Sequence, residues 1–182
     1  MKTDLNLAKF IVYACPTGEF NTQLETFFQR SYLACGKNTA HEYMPHCTLT
    51  GFFHDDPNSI PDYLQALDLA YRETKDLGLS LKIQIIQLVF NSNWHGLELQ
   101  AEGIKQLIER FSQLETSLTR QEDIRLKDWL HLSLAYGFKP SSQEELTALA
   151  REIDLTADVA WELRFYQKLD ANWKCWQSWS LG

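Results

Sequence analysis

The chain has 182 residues, 45% hydrophobic and 13% aromatic, which excludes a disordered or fibrous protein and suits one domain burying roughly 70% of its surface. A formal charge of −7 argues against a broad basic face for long nucleic acid, while leaving room for a small phosphate ligand or an oligonucleotide end in a local pocket. No run of eighteen apolar residues is present, so no membrane span is expected, and the opening MKTDLNLAKF, with Asp4 and no apolar core, makes a poor signal peptide.

In chain order, 10–15 (FIVYAC) reads as a buried strand ended by Pro16 and Gly18. A helix is expected over about 21–33, with Leu24, Phe27, Phe28 and Leu33 on its apolar face and Gly36 closing it. A polar loop and Pro45 lead into a strand over 46–53. Turn residues 55–58 follow, and Ser59 caps a helix running from Pro61 to near Gly78. Residues 79–90 are a long β-rich run, 91–93 a turn, and 94–100 the next strand. The spacing of Ile104, Leu107, Ile108, Phe111 and Leu114 predicts a helix over 102–118. A strand over 129–138 stops at Pro140, a helix capped by Ser141 or Ser142 reaches about Arg151, and strands near 161–169 and 173–181 close the chain.

Each half thus reads strand, helix, histidine-bearing strand, helix, strand. The pattern implies an α+β fold built by internal duplication, with repeats over roughly 8–91 and 92–182 inside a single domain. Four cysteines (Cys15, Cys35, Cys47, Cys175) without C-x-x-C spacing are expected to be buried or half-buried reduced thiols in a cytoplasmic protein.

The two histidine strands carry the chemistry. Side chains alternate faces along a strand, so in HCTLTGFF (46–53) His46, Thr48 and Thr50 share one face, opposite Cys47, Leu49 and Gly51. In HLSLAYGF (131–138) His131, Ser133 and Ala135 share one face, opposite Leu132, Leu134 and Tyr136. Imidazole and hydroxyl then stand about 6.6–6.8 Å apart along each strand. A pseudo-twofold axis between the halves would turn both polar faces to one cleft. Two imidazoles flanking a phosphodiester suit its cleavage, one neutral and taking a proton, the other protonated and giving one. Thr48 and Ser133 can donate to the non-bridging oxygens, where charge gathers. This chemistry requires neither a metal nor a cofactor. The competing reading is a solvated sheet face; against it stand the matched repeat positions and the leucine that follows each hydroxyl.

At these residues the sequence resembles the 2H phosphoesterase superfamily, named for two His-x-Thr/Ser-x motifs, here His46-Cys47-Thr48-Leu49 and His131-Leu132-Ser133-Leu134. The segments ACPTGEF (14–20), KNTAHEYMPHCTLTGFF (37–53), SNWHGLEL (92–99) and WLHLSLAYGF (129–138) look like the central phosphoesterase domain of the T-cell ubiquitin ligand proteins, the suppressors of T-cell receptor signalling. The resemblance implies a bilobal α+β fold, two repeated β-α-β-α-β lobes with mainly antiparallel sheets around a central cleft. It implies His46 and His131 as the acid/base pair and Thr48 and Ser133 as phosphate binders. The implied activity is metal-independent hydrolysis of 2′,3′-cyclic phosphates of nucleotides or RNA ends, with a 2′-phosphate product. The ubiquitin-binding, SH3 and phosphatase-like parts of those relatives have no counterpart here, so their signalling role is not carried over. Where some relatives have threonine this chain has Ser133, which keeps the hydroxyl and loses the stiffness of a β-branched side chain.

Tyr43, Phe52 and His95 are the candidates for further substrate contacts. His41 and His54 flank the first motif at spacings that fit no helical or strand metal site. Arg125 and Lys127, leading into the second motif, read as an ordinary solvated pair. Within the same fold, 2′–5′ linkages, RNA 3′ ends or a cyclic phosphate from nucleotide-sugar metabolism are alternative substrates. Outside enzymology, the cleft could serve a phosphate- or protein-binding domain, although a binder needs no proton donor and acceptor on opposite sides. The sequence names no protein partner.

Overall fold

β-Branched and aromatic runs assemble into eight antiparallel strands among the described residues, 7–182, of the computed structural model. Asp4 and the rest of 1–6, weighed above as a leader, lie outside the described residues. The strands are β1 (Ala8–Thr17), β2 (Cys47–Thr48), β3 (Phe53–Asp55), β4 (Gln84–Phe90), β5 (Trp94–Gln100), β6 (Leu130–Tyr136), β7 (Ala160–Lys168) and β8 (Trp173–Ser180). They form one sheet in the order β4-β5-β6-β2-β1-β7-β8, with β3 also pairing β1. The order runs symmetrically outward from its middle. β6 and β2 are neighbours, β5 and β1 flank them, and β4 and β7 come next. Strands from before and after residue 91 are therefore mixed on both sides.

Four helices, α1 (Gly18–Cys35), α2 (Ile60–Asp76), α3 (Glu102–Leu114) and α4 (Gln143–Ala150), pack on one face of the sheet. Phe10, Val12, Cys47, Leu97, Leu132 and Phe165 from that face meet Leu24, Tyr63, Leu107 and Leu146 from the helices. The opposite face stays open and carries only a small cluster, Ile11, Tyr13, Cys15 and Tyr166. Among the described residues no helix is long and apolar enough to cross a membrane.

Several boundaries differ from the sequence reading for local reasons. β1 runs through Pro16, because beyond Ala14 it is paired on the β7 side alone, an edge-like setting that tolerates proline. The strand expected over 46–53 is broken. Leu49 N still donates to Val12 O at 3.1 Å, but Val12 N then donates to the Thr50 hydroxyl at 3.1 Å instead of to a backbone carbonyl. Gly51 N turns to Arg125 O at 2.8 Å, and pairing with β1 resumes only at Phe53. α3 stops at Leu114, four residues early, because Ser117 and Thr119 donate to the Asp55 carboxylate instead of continuing the helix. Residues 79–83 leave the β-rich run before β4, and Ser80 O lies so close to Gly103 that a Cβ there would stand 2.0 Å away. α1 ends as expected at Gly36, whose φ of 79° is a left-handed turn that glycine adopts freely. Cys15 and Cys47 are buried and Cys35 half-buried, whereas Cys175 is exposed, unlike the expectation, because it sits on β8 at the sheet edge.

Candidate active site

The centre of the sheet fixes the geometry. Cys47 on β2 lies opposite Leu132 on β6, both pointing into the helical core. One residue to either side, on the open face, the antiparallel register sets His46 opposite Ser133 and Thr48 opposite His131. Directly opposed side chains start about 4.5–5.5 Å apart, so the four groups occupy the corners of a small quadrilateral with the imidazoles on one diagonal and the hydroxyls on the other. All four line a cleft of about 280 Å³.

Each imidazole is held between two aromatic rings. His46 lies against Tyr13, centroids 4.0 Å apart, and Tyr43, 5.4 Å. His131 stacks on Trp129 at 4.1 Å with planes 26° apart, and meets Trp94 edge-on at 5.4 Å. The His46 Nδ1–H donates to the Met44 carbonyl at 2.7 Å, which leaves Nε2 with a free lone pair in the neutral ring. Burial lowers its pKa to about 4, against the hydrogen bond to Met44 and aided by the nearby His131. His131 has no such anchor, its Nδ1 being buried without a hydrogen-bond partner. Its pKa is lowered by burial, opposed by the neighbouring Trp129 carbonyl and reinforced by Lys127. The Ser133 hydroxyl accepts from the Trp94 indole N–H at 2.9 Å, which points its own proton elsewhere. Trp94 reaches it by passing close over Gly96, where a Cβ would stand 2.3 Å from the ring.

The register brings together His46, Thr48, His131 and Ser133, and Tyr43 also lines the cleft. Phe52 does not; it stacks on Trp173, which in turn touches Tyr43. His95 is a correction to the list of substrate contacts. It is fully buried between Phe90 and Phe138, at 5.1 and 4.8 Å, because β5 turns it away from the open face. A second correction concerns facing: Thr50, expected on the face of His46 and Thr48, has its hydroxyl buried and accepting from Val12 N. Tyr136 is a third. A bulge in the β5–β6 pairing, between His95 and Gly96, lets Tyr136 instead of Ala135 line the cleft beside Ser133.

Of the residues the sequence reading missed, Trp129 was the most accessible, because it stands two positions before His131 and so shares its face. Tyr13 faces Thr48 through a β1–β2 pairing that no local pattern encodes. His41 is structural. Its Nδ1 accepts from Asn38 N at 3.0 Å and its Nε2–H reaches Phe28 O at 3.0 Å, pinning the turn at Thr39–Glu42 to α1. His54 donates from Nδ1 to Glu122 at 2.8 Å. Arg125 is exposed with its guanidinium over Gly51, while the charge of exposed Lys127 is felt at His131.

The loop delivering Trp129 and His131 is tied down by buried Asp55. Its carboxylate accepts from Ser117 and Thr119 at 2.5 Å each and from Tyr63 at 2.6 Å. Burial would raise its pKa, and these donors more than offset that, holding it below the usual carboxylate value. An Arg120–Glu115 ion pair closes the same loop.

No family model matches the chain. Among curated proteins it is 31% identical over 165 residues to the ecdysteroid-phosphate phosphatase of Bombyx mori, covering 88% of this chain and 24% of that protein. It is 31% identical over 163 residues to the ubiquitin-associated and SH3 domain-containing protein B of Homo sapiens, covering 88% and 25%. The A form of Mus musculus is 29% identical over 168 residues, covering 88% and 26%. The chain spans about a quarter of the length of these relatives. The chain is thus homologous to one segment of those longer proteins, and it carries both His-x-Ser/Thr motifs by which it resembles the 2H phosphoesterases.

Proposed function

We propose that the chain is a metal-independent phosphodiesterase that hydrolyses 2′,3′-cyclic phosphates of nucleotides or RNA ends with His46 as base and His131 as acid. The observation carrying this reading is the β2–β6 register, which sets two imidazoles on one diagonal and two hydroxyls on the other across one cleft. The palindromic strand order supports the duplicated, bilobal architecture implied by the resemblance. One relative is named for phosphate ester hydrolysis, which favours a phosphoester substrate.

His46 takes the base role because its Nδ1–H is committed to Met44, which leaves a bare Nε2 in the neutral ring of a residue that lines the cleft. A water oxygen attacks phosphorus and loses a proton to that Nε2. The bond from phosphorus to one ribose oxygen breaks, and the departing oxygen takes a proton from His131. A bound phosphate anion favours the protonated form of His131, and the stacked Trp129 adds a cation–π contribution. Thr48 and Ser133 donate to the non-bridging oxygens, the latter with one lone pair already engaged by Trp94. Departure of the ribose 3′ oxygen gives the 2′-phosphate product that the resemblance suggests.

The test is hydrolysis of the four 2′,3′-cyclic nucleotides in EDTA by wild type, His46→Ala and His131→Ala, with the product isomer identified. Turnover that persists in EDTA and drops at least about a hundredfold in each variant supports the reading. Full activity in either variant sinks it.

A further inference from the structure

Lys9 on β1 and Lys168 on β7 stand directly opposite each other, on the open face that also carries Tyr13 and His46. Like charges directly opposed across an antiparallel pair are destabilising. Among the described residues neither lysine makes an ion pair. Each ammonium instead lies over an aromatic ring, Lys9 at 4.1 Å from the Phe52 centroid and Lys168 at 4.4 Å from that of Trp173. The two rings stack on one another, centroids 6.1 Å apart and planes 22° apart. Trp173 then touches Tyr13 at 5.6 Å and Tyr43 at 5.5 Å, the rings that hold His46. In a chain of formal charge −7, two facing cations that no carboxylate pairs with among the described residues, joined to the cleft by a continuous aromatic surface, form a site for an anion attached to a flat ring. The Glu122 carboxylate is engaged by His54, which faces Lys9 from β3.

We propose that Lys9, Phe52, Lys168 and Trp173 form a second nucleotide subsite, which holds the phosphate and base immediately upstream of the scissile group in a single-stranded oligonucleotide. The proposal rests on the phosphodiesterase reading and narrows it from mononucleotides to strand ends. Cations supply the phosphate contact and neutralise the repulsion between themselves when it arrives; the rings supply a sequence-tolerant stacking platform. Strand polarity follows, since the 3′-terminal cyclic phosphate lies between the histidines and the preceding nucleotide crosses β1 toward β7.

The experiment compares kcat/KM for a mononucleoside 2′,3′-cyclic phosphate with that for a trinucleotide ending in the same group, in wild type and in the double variant Lys9→Gln/Lys168→Gln. Glutamine removes charge and keeps most of the aliphatic stem over each ring. Wild type should favour the trinucleotide by about tenfold or more, the lower range of one stacked base. The double variant should lose that preference while its mononucleotide rate stays within about twofold, and removal of the like-charge pair should leave its melting temperature unchanged or raised. A parallel titration uses a fluorescent trinucleotide with an ordinary 3′-phosphate, which is no substrate for ring opening. Its binding should weaken in the double variant, and its salt dependence should flatten by roughly 0.7 in log–log slope for each phosphate that the protein no longer neutralises. Weaker binding in the variant without turnover of any cyclic phosphate would keep the subsite and remove the hydrolytic reading. A trinucleotide preference that survives the double variant, or equal binding by both proteins, overturns the subsite.

Discussion

The indole N–H of Trp94 donates to the hydroxyl of Ser133 at 2.9 Å. This bond compensates for the missing β-branch of Ser133, because an engaged lone pair fixes the rotor that threonine would fix by crowding. Trp94→Phe keeps a ring beside His131 and removes the donor. Its kcat/KM on the cyclic substrate should fall about tenfold, the equivalent of one oriented hydrogen bond, with KM changing less than kcat. Restoring the β-branch with Ser133→Thr in that background should recover part of the loss.

Activity should peak on the acid side of neutrality. His46, the proposed base, is held down to about 4 by burial, and burial likewise lowers His131, the proposed acid, from its ordinary value near 6.5. The productive free form has His46 neutral and His131 protonated, so activity should rise as His46 loses its proton and fall as His131 loses its own. A plot of kcat/KM from pH 3.5 to 8.5 should rise through about 4 and fall before about 6.5. A plateau extending beyond pH 8 would contradict the assignment.

The same burial has a thermodynamic side. His46 binds its proton in the unfolded chain near pH 6.5 and in the folded one only near 4. The unfolded state therefore binds more protons between those values, and stability, complete above about 6.5, is lost as pH falls toward 4. Between pH 7 and 5 the loss from this residue should be on the order of 2 kcal/mol. Urea midpoints at the two pH values should show that loss in wild type and a smaller one in His46→Gln. His41, His95 and His131 are lowered too, so some acid sensitivity remains in the variant.

Gly96 and Gly51 offer a matched pair of substitutions to alanine. At Gly96 a Cβ would stand 2.3 Å from the Trp94 ring and 2.5 Å from the Leu132 carbonyl oxygen, and that backbone belongs to the central strand. Gly96→Ala should lower stability by about 2 kcal/mol or more and reduce activity by displacing Trp94 from Ser133. At Gly51 the nearest atoms are the far end of the Arg125 side chain at 2.9 Å, which can swing into solvent. Gly51→Ala should stay within about 0.5 kcal/mol of wild type in chemical denaturation.

The shared facing of the four motif side chains is more legible in the sequence than their surroundings. His46, Thr48, His131 and Ser133 were legible because strand alternation is a local rule, and two copies of one pattern point to one purpose. Where alternation is interrupted, the reading failed. The Thr50 side chain replaces a backbone acceptor for Val12, and the β5–β6 bulge moves Tyr136 into the cleft. Neither event leaves a periodic trace. His95 was misplaced because facing cannot be assigned to a strand until its neighbours are known. The helix expected over 102–118 was right for its apolar stripe and wrong at its end, where Ser117 answers to Asp55, 62 positions away. Helices and strands follow from short-range pattern; the partner of each strand follows from the whole chain.

The exchange of outer strands also governs how the molecule comes to exist. β4 completes the side that holds β5 and β6, while β7 and β8 complete the side that holds β1. The pairing of Lys9 with Lys168 alone closes a loop of some 160 residues. Such closures are entropically slow to form. The side made of β4, β5 and β6 lies within residues 84–136 and can pair early, whereas the side built on β1 must wait for β7. β1 has its β7 partner only after residue 160 has been synthesised, and the cleft between β2 and β6 closes only after residue 130. A translation product interrupted before β6 therefore carries the first motif histidine without the second beside it.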